Sequence, residues 1–185
     1  LSANDLDAKK YLIQFREGQD NPLEKIAEIK TTFKYRLSHE DSQKTILHIY
    51  ANTLHKEYPD MFERIHLTVP QMKRIVALGH DIGAHTHSHV SISSANLSED
   101  SFQKEVVESQ KILKDTLGVQ VESISYPFGE KKDYDSMEEV MRQLGISRAG
   151  FIAEPGLNTV ATSPFKIARY LVLQKDTAET LRDKI

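Results

Sequence analysis

The sequence predicts an α/β fold: a parallel sheet built from βαβ units, preceded by a helical segment. Three observations predict it. From residue 66 onward, short apolar runs alternate with helical patterns of roughly 9 to 20 residues. Capping boxes and glycines punctuate the starts and stops of those helices. Residues 1–62, in contrast, carry only helical periodicity. At 185 residues the chain is long enough to bury one sizeable core.

Taken in order, a first helix is expected over residues 6–15. Asn21-Pro22-Leu23-Glu24 then offers an N-cap, a proline at the first helical position and a carboxylate at N3. Leu23, Ile26, Ala27, Ile29 and Phe33 follow at roughly helical spacing, with Lys30 interrupting the stripe. Leu47, Tyr50, Ala51, Leu54 and Tyr58 make a second, cleaner stripe. Both stripes read as packing faces. His39, His48 and His55 sit singly on helical faces and are assigned no chemistry.

Thr68-Val69-Pro70-Gln71 is a capping box, with Leu67 and Met72 placed as its hydrophobic staple. Gly79 is placed to end that helix. Residues 81–86 read as a short strand. Ser98 caps the next helix, Phe102, Val106, Leu113 and Leu117 line one face of it, and Gly118 stops it. Residues 119–125 read as a strand. Ser136-Met137-Glu138-Glu139 is another capping box; Met137, Val140, Met141 and Leu144 face inward, and Gly145 ends the helix. Residues 146–153 and 166–173 are further expected strands, and residues 177–183 a last helix. No internal repeat appears. The division expected is a helical segment at 1–62 and an α/β part at 63–185.

Charge is nearly balanced, with 24 basic and 27 acidic residues. A nucleic-acid footprint would be clearly basic, so no nucleic-acid partner is expected. No apolar run approaches the roughly 20 residues that span a bilayer. There is no cysteine, which excludes disulfides and thiolate metal sites. A metal would have to be held by His, Asp, Glu or water, as in catalytic zinc sites.

The segment Gly79-His80-Asp81-Ile82-Gly83-Ala84-His85-Thr86-His87-Ser88-His89 places four histidines within ten residues. Imidazole is the commonest ligand for zinc-like ions. His85 and His89 can converge on one ion from a tight loop or a helical turn. His85 and His87 are the alternative pair, since residues two apart on a strand face the same side. Gly83 and Ala84 let the backbone approach another group closely. Thr86 and Ser88 suit holding a turn or orienting an imidazole. His80 precedes the strand and is not expected to be a ligand; Asp81 is a candidate support for the ligands or a structural residue. The second element is Ile124-Ser125-Tyr126-Pro127-Phe128-Gly129, where proline fixes φ and glycine permits unusual angles, so the loop can aim a main-chain N–H into a cleft. Both motifs follow expected strands, and chemistry in parallel α/β folds gathers at the C-terminal ends of strands.

The pattern Gly-His-(Asp/Glu)-Ile-Gly-x-His-(Ser/Thr)-x-x-His resembles the metal-binding motif of the NodB-like polysaccharide deacetylases, carbohydrate esterase family four. The Tyr126–Gly129 segment resembles that family's third motif. The helix with Glu105-Val106-Val107-Glu108-Ser109-Gln110, and a later Gly-Ile-x-x-Ala, fit as well. The likeness covers residues 64–173. It implies a distorted (β/α) barrel of about seven strands, incomplete in this chain. It selects His85 and His89 as metal ligands. It implies a divalent cofactor, zinc with cobalt or nickel as alternatives, and an N-acetylated glycan or amino-sugar substrate. It makes the Phe128 main-chain N–H an oxyanion donor, with Tyr126, Pro127 and Gly129 beside the substrate; Tyr126 is equally readable as packing. The implied reaction is metal-dependent removal of acetyl groups.

The chain departs from the family in three places. Thr-Phe-Asp-Asp-Gly, whose aspartates supply the general base and a third metal ligand, is nowhere in it. Ser125 stands where some members carry an arginine. No histidine follows His89, and Ala168-Arg169-Tyr170-Leu171-Val172 occupies the place of a late Leu-x-His. Two expectations compete. The aspartates lie ahead of Leu1, with residues 1–62 an insertion; the non-methionine start favours this. Otherwise the domain is a degenerate carbohydrate-binding module. An amidase on the same fold is a further alternative.

Overall fold

A computed structural model describes residues 21–93, 95–135, 137–174 and 176–183. The helix expected over 6–15 and the expected cap at Ser136 lie outside the described residues. The chain divides into two compact units, one ending at Leu67 and the other starting at Thr68.

The described part of the first unit is helical. Helix α1 spans Pro22–Thr31 and passes into a π-helical turn at Thr32–Arg36. Helix α2 spans His39–Asn52 and is capped by Ser38, whose side chain accepts the Asp41 N–H at 3.1 Å. Short helices α3, Leu54–Glu57, and α4, Met61–Ile65, follow. The second stripe fails as a packing face: Leu47 is 61% exposed, and Leu54 and Tyr58 are exposed too. The reason is a break at Thr53, where φ is −125° and ψ −84°. Asn52 Nδ2 donates to the His48 carbonyl at 2.9 Å and Thr53 Oγ1 to the Ile49 carbonyl at 2.6 Å. Side chains that bond the local backbone in this way compete with the helix ladder. Leu54 and Tyr58 therefore do not continue the α2 face. What α2 buries is small and polar, Ser42 and Thr45.

The second unit holds the sheet. Helix α5, Val69–Ala77, begins at the expected capping box: Thr68 Oγ1 accepts from Gln71 N–H, and Gln71 Oε1 accepts from Thr68 N–H at 2.8 Å. It ends in a Schellman motif. Gly79, at φ +87°, donates to the Val76 carbonyl, and His80 donates to that of Ile75. Helix α6, Glu99–Phe102, runs through a π-helical stretch at Gln103–Glu108 into α7, Ser109–Leu117, which packs beside α5. Strand β1 is Ser123–Ser125, α8 is Lys131–Tyr134, α9 is Met137–Leu144, β2 is Ala149–Phe151 and α10 is Ala178–Arg182.

β1 and β2 pair in parallel, with Ile124 opposite Gly150. Parallel bridges join Ala84 to Ile124 on one side and Phe151 to Ile167 on the other. All four segments expected as strands thus take part, in chain order across the sheet. They are shorter than expected: residues 81–86 and 166–173 contribute single bridges. Of the incomplete barrel implied by resemblance, the described residues form a two-stranded sheet that is open. Ala84, Val106, Ile124, Tyr126, Met141 and Ile152 belong to one buried cluster. The Gln110 amide, buried in the same region, donates to the Val121 carbonyl at 2.5 Å and to Ser147 Oγ at 2.9 Å, tying α7 to the entries of both strands. No helix among the described residues is long and apolar enough to cross a membrane.

Candidate active site

The histidine loop leaves the sheet at Ala84, which donates to the Ser123 carbonyl at 2.8 Å and accepts from Ser125 N–H at 2.9 Å. Gly83 allows a close approach beside it: a Cβ there would lie 2.6 Å from Ser123 Oγ and 3.2 Å from the Ser123 carbonyl oxygen. His85 then points across the β1 end. Its Nδ1 lies 2.6 Å from the Ser125 carbonyl oxygen. A carbonyl only accepts, so Nδ1 carries a proton, and in the neutral ring that leaves the lone pair on Nε2, the tautomer a metal ligand needs. The serine that stands in place of an arginine thus acts through its backbone.

His89 comes back to His85 four residues later, with ring centroids 4.7 Å apart and planes at 76°. The return depends on two left-handed residues, Thr86 at φ 60° and His89 at φ 59°. Non-glycine residues at positive φ are uncommon, and a β-branched one is an outlier held by its surroundings. Thr86 Oγ1 accepts the Val90 N–H at 3.2 Å, which braces the turn. His85, His87 and His89 are all exposed. The structure brings together His85 and His89. His87 takes part through its N–H, and His80 and Asp81 sit exposed beside the α5 terminus.

The Tyr126–Gly129 segment lies against the same edge. The Phe128 ring meets His89 edge-on, with centroids 4.8 Å apart. Phe128 and Gly129 are both left-handed, at φ 64° and 67°. Gly129 is close-packed: a Cβ would lie 2.6 Å from the Ala153 nitrogen, and Gly129 O accepts the Ala153 N–H at 3.0 Å. Tyr126 is 1% exposed and its hydroxyl donates to the Phe165 carbonyl at 3.1 Å. Burial pushes its phenol up to about 12, with the Glu138 charge adding to the effect. Pro127 is buried as well. Tyr126 and Pro127 therefore shape the turn from below.

Two buried carboxylates that sequence reasoning missed hold these loops. Asp133, 1% exposed, accepts from Ser91 Oγ just past the histidine loop and, at 3.0 Å, from Glu130 N–H just past the turn. Glu105 lies behind residues 87 and 88. One signal was available. Glu105, Ser109 and Gln110 occupy the same helical stripe as Phe102, Val106 and Leu113, so a charged residue interrupts a buried face.

Two imidazoles at this distance, one with its tautomer fixed, fit a zinc-like ion. Among the described residues no third His, Asp or Glu completes a three-ligand set.

The chain is similar to the deacetylase PplD of Streptococcus pyogenes, solved in complex with acetate, with a TM-score of 0.55 at 23% identity. The match covers 64% of this chain and 50% of that one, so this chain spans about half the length of that structure. At that identity the likeness shows the fold. No curated protein matches the chain. The polysaccharide deacetylase family matches residues 43–149, from within α2 to the start of β2. With its histidine loop and its Tyr126–Gly129 turn inside that span, the chain belongs to the polysaccharide deacetylase family.

Proposed function

We propose that this chain is the histidine-bearing part of a metal-dependent deacetylase acting on an N-acetylated sugar or polysaccharide. The observation that carries the reading is the convergence of His85, His89 and the Phe128 turn on one sheet edge, in a member of a deacetylase family.

In this reading His85 and His89 provide two nitrogen ligands for a divalent ion, zinc or else cobalt or nickel. The bound ion would supply Lewis acidity toward an acetyl carbonyl and toward water. The Ser125 carbonyl holds His85 in its coordinating tautomer. The Phe128 main chain, turned into the left-handed region, donates an N–H toward the oxygen that gains charge as the acetyl carbon becomes tetrahedral. Gly129 sets the close approach of that turn to the Ala153 backbone. Tyr126 and Pro127 contribute from beneath, by fixing the turn against which the sugar rests. The family's aspartate pair, base and third ligand, is not among these residues, so the activity belongs to a protein that supplies them.

Metal content and acetate release on a panel of N-acetyl chitooligosaccharides, measured on the protein that supplies the aspartate pair, test the reading. About one metal per chain together with acetate is the expected result. Ammonia in place of acetate would make the protein an amidase. Absence of both metal and acetate would overturn the reading in favour of a binding module.

A further inference from the structure

We propose that Glu105 is the positioning residue that sets the separation of His85 and His89. This rests on reading those two histidines as ligands.

Glu105 is 3% exposed. A carboxylate so buried is costly unless its oxygens are satisfied. Its donors come from the histidine loop. Oε2 accepts the N–H groups of His87 at 3.1 Å and Ser88 at 2.8 Å, and Oε1 accepts the Ser88 hydroxyl at 2.7 Å. The Glu105 main-chain carbonyl accepts the His87 N–H as well, at 3.0 Å.

The helix is reshaped around this grip. Gln103–Glu108 is π-helical, a form that occurs in short pieces and frequently at functional sites. At its end the Ser109 N–H bonds the Val106 carbonyl. A regular α turn would have sent it to Glu105. The Glu105 carbonyl is thereby turned to the His87 N–H and the Ser109 hydroxyl, the latter at 2.7 Å.

What Glu105 holds is the strained part of the loop. His87 and Ser88 lie between Thr86 and His89, the two left-handed residues. Without the carboxylate, residues 86–89 relax toward extended backbone, and His89 moves away from His85.

The test is amide hydrogen exchange on the metal-free full-length protein, with a cobalt titration beside it. Glu105→Ala removes all three side-chain bonds. Glu105→Gln keeps the shape: its Oε1 can accept both N–H groups while its Nε2 donates to Ser88 Oγ. Glu105→Ala is expected to speed exchange at Ser88 at least about tenfold, leave Ser125 and Gly150 unchanged, and weaken cobalt about 10–100-fold. Glu105→Gln is expected to restore both readouts to within about threefold of wild type. Unchanged loop exchange in Glu105→Ala would overturn the proposal. So would a gain in exchange at Ser125 and Gly150 equal to that of the loop, which marks a purely structural role. So would a Gln variant whose loop is protected but whose cobalt affinity falls as far as that of Ala. If wild type takes up neither cobalt nor zinc, the reading of the two histidines as ligands fails, while loop exchange still judges Glu105.

Discussion

The loop at residues 86–89 and the turn at residues 127–129 both carry non-glycine residues in left-handed conformations, and they are held in different ways. The first keeps Thr86 and His89 there with a buried carboxylate, three donors and a π-helical turn. The second keeps Phe128 there by close packing, with Tyr126 and Pro127 buried beneath it and Gly129 against Ala153. A polar grip is directional and places ring nitrogens; a packed turn is stiff and places a backbone N–H. Asp133 joins them by accepting from Ser91 on one side and Glu130 on the other.

The comparison can be broken from either side. His85→Ala is expected to have the largest effect. Losing a ligand should exceed the roughly 10–100-fold cost of losing a residue that merely orients one. Acetate release should fall by more than about 100-fold; retained activity would remove the histidine loop from the chemistry. Gly129→Ala tests the packed turn. It adds left-handed strain and a clash with Ala153, together about 2–5 kcal/mol in urea unfolding.

Tyr126→Phe sharpens the packing side through pH. The wild-type phenol is held protonated to about 12, against an ordinary value of 10.0. The folded chain therefore binds more protons than the unfolded one between those values. The contribution is whole below pH 10 and is lost as pH rises toward 12, on the order of 2–3 kcal/mol. Tyr126→Phe should flatten that part of the alkaline decline, and an unchanged profile would mean the hydroxyl is not desolvated. Gly79→Ala is the smallest effect. A Cβ there meets nothing within 4 Å at φ +87°, so only backbone strain remains, about 1 kcal/mol. If Gly79→Ala and Gly129→Ala cost the same, packing is not what holds the turn.

Much of the α/β unit was legible because its signals are local. The Thr68–Gln71 box, the stop at Gly79 and the inward face of α9 all lie within a few residues of their causes, and the histidine loop and the Tyr-Pro-Phe-Gly turn are each short motifs that follow an expected strand. The π-helical turns were not legible, because a 3.6-residue period over one helix does not reveal an inserted residue. Strand lengths were overestimated, since alternating segments such as residues 119–125 reach past the paired positions of β1. Glu105 and Asp133 escaped because the donors that tie them to the histidine loop lie far along the chain. The exposed stripe of α2 was misread, since periodicity reports a face and not what covers it.

The bonds that build this edge reach a long way along the chain. His85 meets Ser125 across 40 residues, and Tyr126 meets Phe165 across 39. Each such bond closes a large loop whose entropy must be met first, and parallel pairings of this kind form slowly. The two histidines are always neighbours in sequence, yet the tautomer-setting carbonyl and the gripping carboxylate arrive only with the native topology. An ion captured early by an unfolded chain would find two loose imidazoles; the folded chain offers an oriented pair. An ion that binds the oriented pair more tightly than the loose one would raise the unfolding temperature with its concentration.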